Sequence, residues 1–309
     1  MLRYSMKRIG MGVVSLLMLI TITFLLVRLM PGSPFQTANV SEQVQQKIEE
    51  EYGLDKPILE QYQTYMYRLL HGDLGVSYKK AGVTVTSVIR QAAPDTMRIG
   101  ILSAFVAFLG GTVLGIWQVL SKKTFIRQGI ITGTMFGTCV PNFVIALVTA
   151  LLFGVHWKVL PIVGLNDWRG YILPVFTLSC YPMAVVTRMM KSSFEKELEQ
   201  DYVVMAKAKH LSSFRIIVGH VLKNAWIPVL NYIGPATAFL ITGSFAVESI
   251  FAIPGLGREF VNSIVNRDYT LILGLTIFMG SIVIAVNLFT DLLCAWLNPR
   301  IRTEYLGES

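Results

Sequence analysis

Charge is scarce in this chain. Of 309 residues, 15% are Asp, Glu, Lys or Arg, while 53% are hydrophobic. A soluble domain carries about a quarter charged residues, so the deficit argues against a soluble globule and for a polytopic membrane protein. Cysteine is nearly missing as well. Cys139, Cys180 and Cys294 sit far apart in apolar runs, in no CxxC pairing, which reads as small buried hydrophobes. The four histidines His71, His156, His210 and His220 are scattered, so no metal-site spacing appears. There is no GxxxxGK[ST] phosphate loop and no GxSxG elbow. The chain therefore offers no site for nucleotide or covalent chemistry, and no catalytic residue or bound cofactor is expected in it. Acidic residues are the rarer sign, leaving a net charge of +8. In a membrane protein such an excess reports topology, and no nucleic-acid partner is expected.

Long apolar runs are what the chain has instead. A span needs roughly 20 mostly apolar residues, and six such runs are present: Ile9–Met30, Ile99–Leu120, Gly129–Phe153, Tyr171–Met190, Ile227–Phe251 and Leu271–Leu297. The first follows Arg3, Lys7 and Arg8, as a signal peptide would, but it is too long and no A-x-A-like site follows, so it reads as a retained helix. With the N-terminus inside, the inner segments hold fifteen Lys and Arg, including Arg300 and Arg302 in the tail. The two short outer loops hold four, Lys158, Arg169, Arg258 and Arg267. This bias places both termini in the cytoplasm.

The chain divides into residues 1–30, an N-terminal transmembrane helix; 31–97, an extracytoplasmic segment with amphipathic helices; and 98–309, a five-helix core with a cytoplasmic loop at 191–226. In the outer segment Ser41 can cap a helix through Tyr52, while Pro57 and Gly72 bracket a second. Ile58, Leu59, Tyr62, Tyr65, Met66 and Leu69 form a helical stripe there. That stripe fits either the membrane face of the protein or a docking surface for an extracellular partner.

The inner loop carries AKAKHLSSFRIIVGHVLKNAWIP at 206–228. Leu211-Ser212-Ser213 interrupts one helical stretch, and either serine can cap the next. Phe214, Ile217, Val218, Val221, Leu222 and Ala225 then recur at helical spacing, with Lys207, Lys209, Arg215, His220 and Lys223 on other faces. A basic amphipathic helix of this kind can lie on membrane lipid. Alternatively, small Ala206 and Ala208 with exposed Leu211 and Phe214 can fill a pocket on a cytoplasmic partner.

DYVVMAKAKHLSSFRIIVGHVLKNAWIP resembles the cytoplasmic "EAA" loop of binding-protein-dependent ABC transporter permeases, in the form of the oligopeptide, dipeptide and nickel uptake family. LMPGSPF, QYQTYMYRLLHGDLGVSY, APDTMRIGILSAFVA, VPNF, WKVLPIVG, ILPVFTLS and FAVESIFAIPGLGREFVNSIVNRDY agree with it in order. His210 stands where the family usually has Gly, and His is among the residues that tolerate a left-handed turn.

The resemblance implies an all-α membrane protein with six transmembrane helices and the type I ABC importer permease fold. Its partners would be a homologous second permease, two ABC ATPase subunits that bind ATP and Mg, and an extracytoplasmic solute-binding protein. The cargo would be a peptide substrate, in the first place an oligopeptide. A nickel, metallophore or dipeptide importer is the rival within the class. Ala206, Lys207, Ala208, Lys209, His210, Leu211, Ser212 and Phe214 would couple to the ATPase. Glu248, Pro254, Gly255 and Gly257 would belong to an outer gate, with Glu248 either at the hydrated interface or in the path. A self-sufficient secondary transporter would call for carboxylates or broken helices near the midplane, and neither is evident in the sequence.

Overall fold

A computed structural model of the chain describes residues 2–30, 53–80, 82–165 and 167–297. The expected helix from Ser41 to Tyr52, most of LMPGSPF, Arg300 and Arg302 lie outside these residues. The described residues are almost wholly helical, with one isolated antiparallel bridge between Val76 and Thr84.

The helices are α1 (Leu2–Arg28), α2 (Ile58–Leu70), α3 (Val85–Leu120), α4 (Thr124–Cys139), α5 (Asn142–Thr149), α6 (Arg169–Leu198), α7 (Asp201–Ala208), α8 (Ser213–Thr242), α9 (Phe245–Ile250), α10 (Leu256–Val265) and α11 (Tyr269–Leu297). Five of them, α1, α3, α6, α8 and α11, are long and apolar enough to cross a membrane.

The third expected span, Gly129–Phe153, is not a straight helix. α4 and the α5 segment, which continues to His156, meet at an angle of 108° and make a sixth span only as a bent pair. Pro141 is the physical reason. A residue before proline is pushed out of the helical region, and Val140 is extended at φ −88° and ψ 124°. The fifth span also differs from its expected course to Phe251. α8 ends at Thr242, Gly243 turns at φ 95°, and α9 follows as a separate short helix. In the second span, α3 starts at Val85, capped by the Thr84 side chain accepting from the Ser87 amide. This early start runs through the boundary expected between residues 97 and 98. It pays off in burial: Val85, Val88, Ile89 and Ala92 form one apolar cluster with Leu271 and Leu275 of α11.

Two ends of the bundle can be told apart by charge. The basic end carries the start of α1, the end of α6, and the start of α8. At this end Asp291 of α11 pairs with Arg8 of α1 at 2.8 Å, an ion pair that joins the two helices. At the opposite, far end, Asp268 is buried and accepts hydrogen bonds from the Ser77 hydroxyl and the Tyr78 amide. Lys80 pairs with Glu259 nearby at 2.7 Å. These contacts fasten the segment after α2 to the α10–α11 corner.

Small residues let the spans approach closely, as helix association in lipid requires. A Cβ on Gly100 of α3 would lie 2.5 Å from the Leu240 carbonyl oxygen and 2.7 Å from Ile241 Cα, both backbone atoms of α8. Backbone cannot rotate aside as a side chain can. Gly100→Ala is therefore expected to lower stability by about 1–3 kcal/mol through overpacking. Gly10→Ala, which meets nothing within 4 Å, should stay within about 0.5 kcal/mol of the parent. Thermal unfolding of both variants in the same detergent checks this; equal midpoints would refute the close α3–α8 contact.

Candidate functional site

Two regions at opposite ends of the bundle hold the residues singled out in the sequence. At the basic end, α7 and the first turns of α8 form a short helical hairpin. Asp201 in the first turn and Lys207 in the last suit the helix dipole of α7. The chain then turns at His210, whose φ of 54° is left-handed; the turn survives the replacement of the usual glycine. The His210 amide donates to the Lys207 carbonyl at 2.9 Å and the Leu211 amide to that of Ala206 at 3.3 Å. Ser212 precedes α8 in the N-cap position, though its hydroxyl makes no capping bond.

Burial redistributes the roles expected along this hairpin. Ala206 is only 7% exposed and shares a buried cluster with Phe194, Val203, Ile216 and Val221. It packs against its own chain, so it is not free to meet a partner directly. Leu211 is half-buried against the same cluster. Lys207, Ala208, Lys209, His210, Ser212 and Phe214 are exposed, with Phe214 at 77%. Sequence reasoning missed Val204 and Met205, the latter 68% exposed, which with Phe214 make the apolar part of the exposed face. Their signal was available: they lie on the side of α7 opposite Val203 and Ala206. Tyr202 ties the hairpin down, donating to Glu197 of α6 at 2.7 Å. Burial, then Glu197, push its phenol above the ordinary value.

At the far end, Glu248 of α9 is 4% exposed, so the hydrated-interface placement is corrected. Its carboxylate accepts from the Thr96 hydroxyl of α3 at 2.9 Å and from the Arg258 amide at 2.7 Å. The Thr96 hydroxyl oxygen in turn accepts from the Leu256 amide at 2.8 Å. Burial raises the Glu248 carboxyl above its usual range, and the amides of Arg258 and Gly257 and the Thr96 hydroxyl hold it back. The carboxylate thus serves orphan amides at the start of α10.

Gly255 and Gly257 lie against this carboxylate and Pro254 is exposed beside them, but the glycines are not there for a positive φ. Gly255 has φ −104°. A Cβ on Gly255 would instead overlap the Glu248 carboxyl carbon, and one on Gly257 would lie 2.9 Å from the Phe245 amide nitrogen. The left-handed positions of this corner are Gly243 at 95° and Ala252 at 49°. Thr96 was also missed. It lies in APDTMRIG, but 152 residues from Glu248, and nothing local marks their contact.

Between these ends α4, α5 and α6 line a cavity of about 790 Å³ that includes Gly133, Phe136, Val144, Val148, Phe176 and Cys180 and no charged residue.

The profile of the family described as binding-protein-dependent transport system inner membrane component matches residues 107–303. The chain belongs to this family. The companion profile for the N-terminal part of such membrane components matches residues 1–99. The chain is 37% identical over 308 residues to the dipeptide transport system permease protein of Bacillus subtilis (strain 168), covering 99% of this chain and 100% of that protein. It is 37% identical over 305 residues to the oligopeptide transport system permease protein of Haemophilus influenzae, covering 98% and 100%. The counterpart of Escherichia coli (strain K12) is 36% identical over 307 residues, covering 98% and 100%. This ABC permease family accounts for the helical architecture of a type I importer permease and makes the chain a multi-pass membrane transport subunit.

The packing of Glu248 against Gly255 yields a coupled prediction. Gly255→Ala should impair uptake by the assembled transporter, because its methyl collides with the carboxylate. Glu248→Ala should also impair it, by leaving the Thr96 hydroxyl and the Arg258 amide without their buried acceptor, at about 1–3 kcal/mol. The double variant should lose less than the sum of the two, since residues in contact are non-additive. Strict additivity of uptake and melting temperature would refute the packing.

Proposed function

We propose that this chain is the permease subunit of an ATP-driven importer of oligopeptides. The observation that carries the reading is similarity over nearly the full length to permease proteins named for peptide transport. Dipeptide and oligopeptide names stand at the same 37% identity, so a dipeptide importer is the second reading. The uncharged cavity of α4, α5 and α6 supports a path for peptides of varied sequence, where fixed charges would select against some cargo.

In this proposal the face carrying that cavity meets a homologous second permease, and the path runs between them. An extracytoplasmic solute-binding protein delivers peptide at the far end, above Glu248 and the Pro254–Gly257 corner, which act as the outer gate. Two ABC ATPases bind ATP and Mg and sit against the α7–α8 hairpin. Their closure pushes the hairpin, and α8 passes the motion toward the far end. Both termini and the loop 191–226 are cytoplasmic, and 31–97 is extracytoplasmic, on the Lys and Arg bias. Cysteine placed at Ser213 should then resist a membrane-impermeant thiol reagent added to spheroplasts, whereas cysteine at Lys56 should react; the reverse pattern would overturn this orientation.

The coupling role is tested on exposed residues, because Ala206→Glu would bury a charge in the chain's own core and damage the hairpin itself. Met205→Asp and Phe214→Asp should leave stability within about 0.5 kcal/mol. If these side chains anchor an ATPase groove, each should cost about 2 kcal/mol or more of that contact, abolishing binding-protein-stimulated hydrolysis and uptake in liposomes. A hairpin that merely rests on lipid predicts the opposite ranking, with Lys207, Lys209 and Lys223 to Gln most harmful. Normal stimulated hydrolysis in both aspartate variants would sink the coupling role.

A further inference from the structure

α2 has three faces. Tyr62, Tyr65 and Leu69 are half-buried and turn toward the protein. Glu60, Thr64, Arg68 and His71 form an exposed polar flank. On the other side Leu59 and Leu70, at 67% and 80% exposure, form an apolar flank that the half-buried Met66 joins to the inward face. Among the described residues nothing covers Leu59 or Leu70.

The depth of α2 says what does. The Tyr62 hydroxyl lies 2.8 Å from the Thr21 hydroxyl of α1. The Phe24 ring lies 5.3 Å from that of Tyr62 and 5.8 Å from that of Tyr65. α1 is a membrane-spanning helix ending at Arg28, so Thr21 sits about 10 Å inside that end at 1.5 Å per residue. The Arg28 guanidinium marks the boundary: it lies 5.3 Å from the Phe24 ring centre and 5.8 Å from that of Tyr269, the first residue of α11. Arginine and tyrosine at span ends anchor at the headgroup level. α2 therefore packs on α1 below that level, at the depth of about 5–10 Å that interfacial helices occupy. Met18, Ile22, Leu25 and Leu26 of α1 are exposed and apolar over the same stretch, so the α2 flank continues an exposed apolar surface of that span.

We infer that α2 is an interfacial membrane helix whose Leu59–Met66–Leu70 flank docks among the acyl chains of the leaflet at the Arg28 end of α1, with Glu60, Thr64 and Arg68 at the headgroups. The segment between α1 and α3 is thus anchored to the bilayer, and the far end of the bundle is held at a fixed height above it. A soluble partner seated on this flank would have to enter the membrane.

Fluorescent labels on single cysteines test this, with Cys139, Cys180 and Cys294 replaced by Ala and the full transporter in lipid vesicles. Labels at Leu59, Met66 and Leu70 should be quenched by a nitroxide on lipid acyl chains several-fold more than labels at Glu60 and Thr64, and by aqueous iodide several-fold less. Three apolar positions are used so that one poorly assembling variant does not decide the result. Iodide quenching of the apolar flank equal to that at Thr64 would place it in water and overturn the inference. Protection from both quenchers would show a protein cover, whether residues 31–52, a binding protein or a second copy, and would overturn it too.

Discussion

The close approach of α3 to α6 is the constraint on which the rest of the molecule depends. Lipid supplies no hydrophobic drive between helices, so their association rests on backbone proximity and packing. Gly110, Gly111 and Gly115 of α3 provide it. A Cβ on Gly111 would lie 2.9 Å from the Met183 carbonyl oxygen, and one on Gly115 would lie 2.8 Å from that of Thr187. With these glycines, Val186 and Met190 of α6 become fully buried. The pair then acts as a spine. Toward the far end, α3 holds Thr96, which binds Glu248. The other end of the pair holds Phe194 of α6, on which Val203 and Ala206 rest.

α8 joins the same two regions by a single helix. It begins at Ser213 beside the exposed hairpin and ends at Thr242, one residue before the Gly243 turn. Near its start the Ile217–Val221 stretch is a π-turn, and Pro228 and Pro235 lie farther along. Such features interrupt the regular hydrogen-bond ladder and let a helix bend. The design combines a rigid α3–α6 spine with a neighbouring helix that is compliant near the hairpin. Under the coupling proposed above, force applied at the exposed face of α7 would reach the far end through covalent backbone.

Legibility followed sequence distance. The spans could be read because some 20 apolar residues in a row leave few alternatives. The bend at Val140 and Pro141 was hidden by unbroken hydrophobicity on both sides, although proline chemistry carried the signal. In α8 the expected stripe of Phe214, Ile217, Val218, Val221, Leu222 and Ala225 assumed a regular period; Val221 and Ala225 are buried as expected, but Phe214 and Val218 are exposed. The buried residues are Ile216, Val221 and Ala225. The five-residue step from Ile216 to Val221 is the period of the π-turn, so the register slipped where the helix widened. Burial of Ala206 was illegible because Ala is small enough for either a core or an interface. Glu248 was noticed, but its partner lies in another helix and could not be inferred from neighbours.

The Glu248 corner shows how a buried charge can organise a junction. Separating α3 from α9 and α10 would strip the carboxylate of its Thr96 donor and leave the Leu256 amide without the Thr96 oxygen that receives it. Leaving such a charge unpaired in a buried site is costly. α3, α9 and the start of α10 therefore form one unit, and the freedom for movement at this end falls to its edges. Gly243 separates the unit from α8 with a backbone conformation open to glycine. Asn266 and Arg267 separate it from α11, where Arg267 turns at φ 56° just before the Asp268 anchor. Because α3 also belongs to the spine with α6, an outer gate built on this corner would move with that spine and keep its internal hydrogen bonds intact.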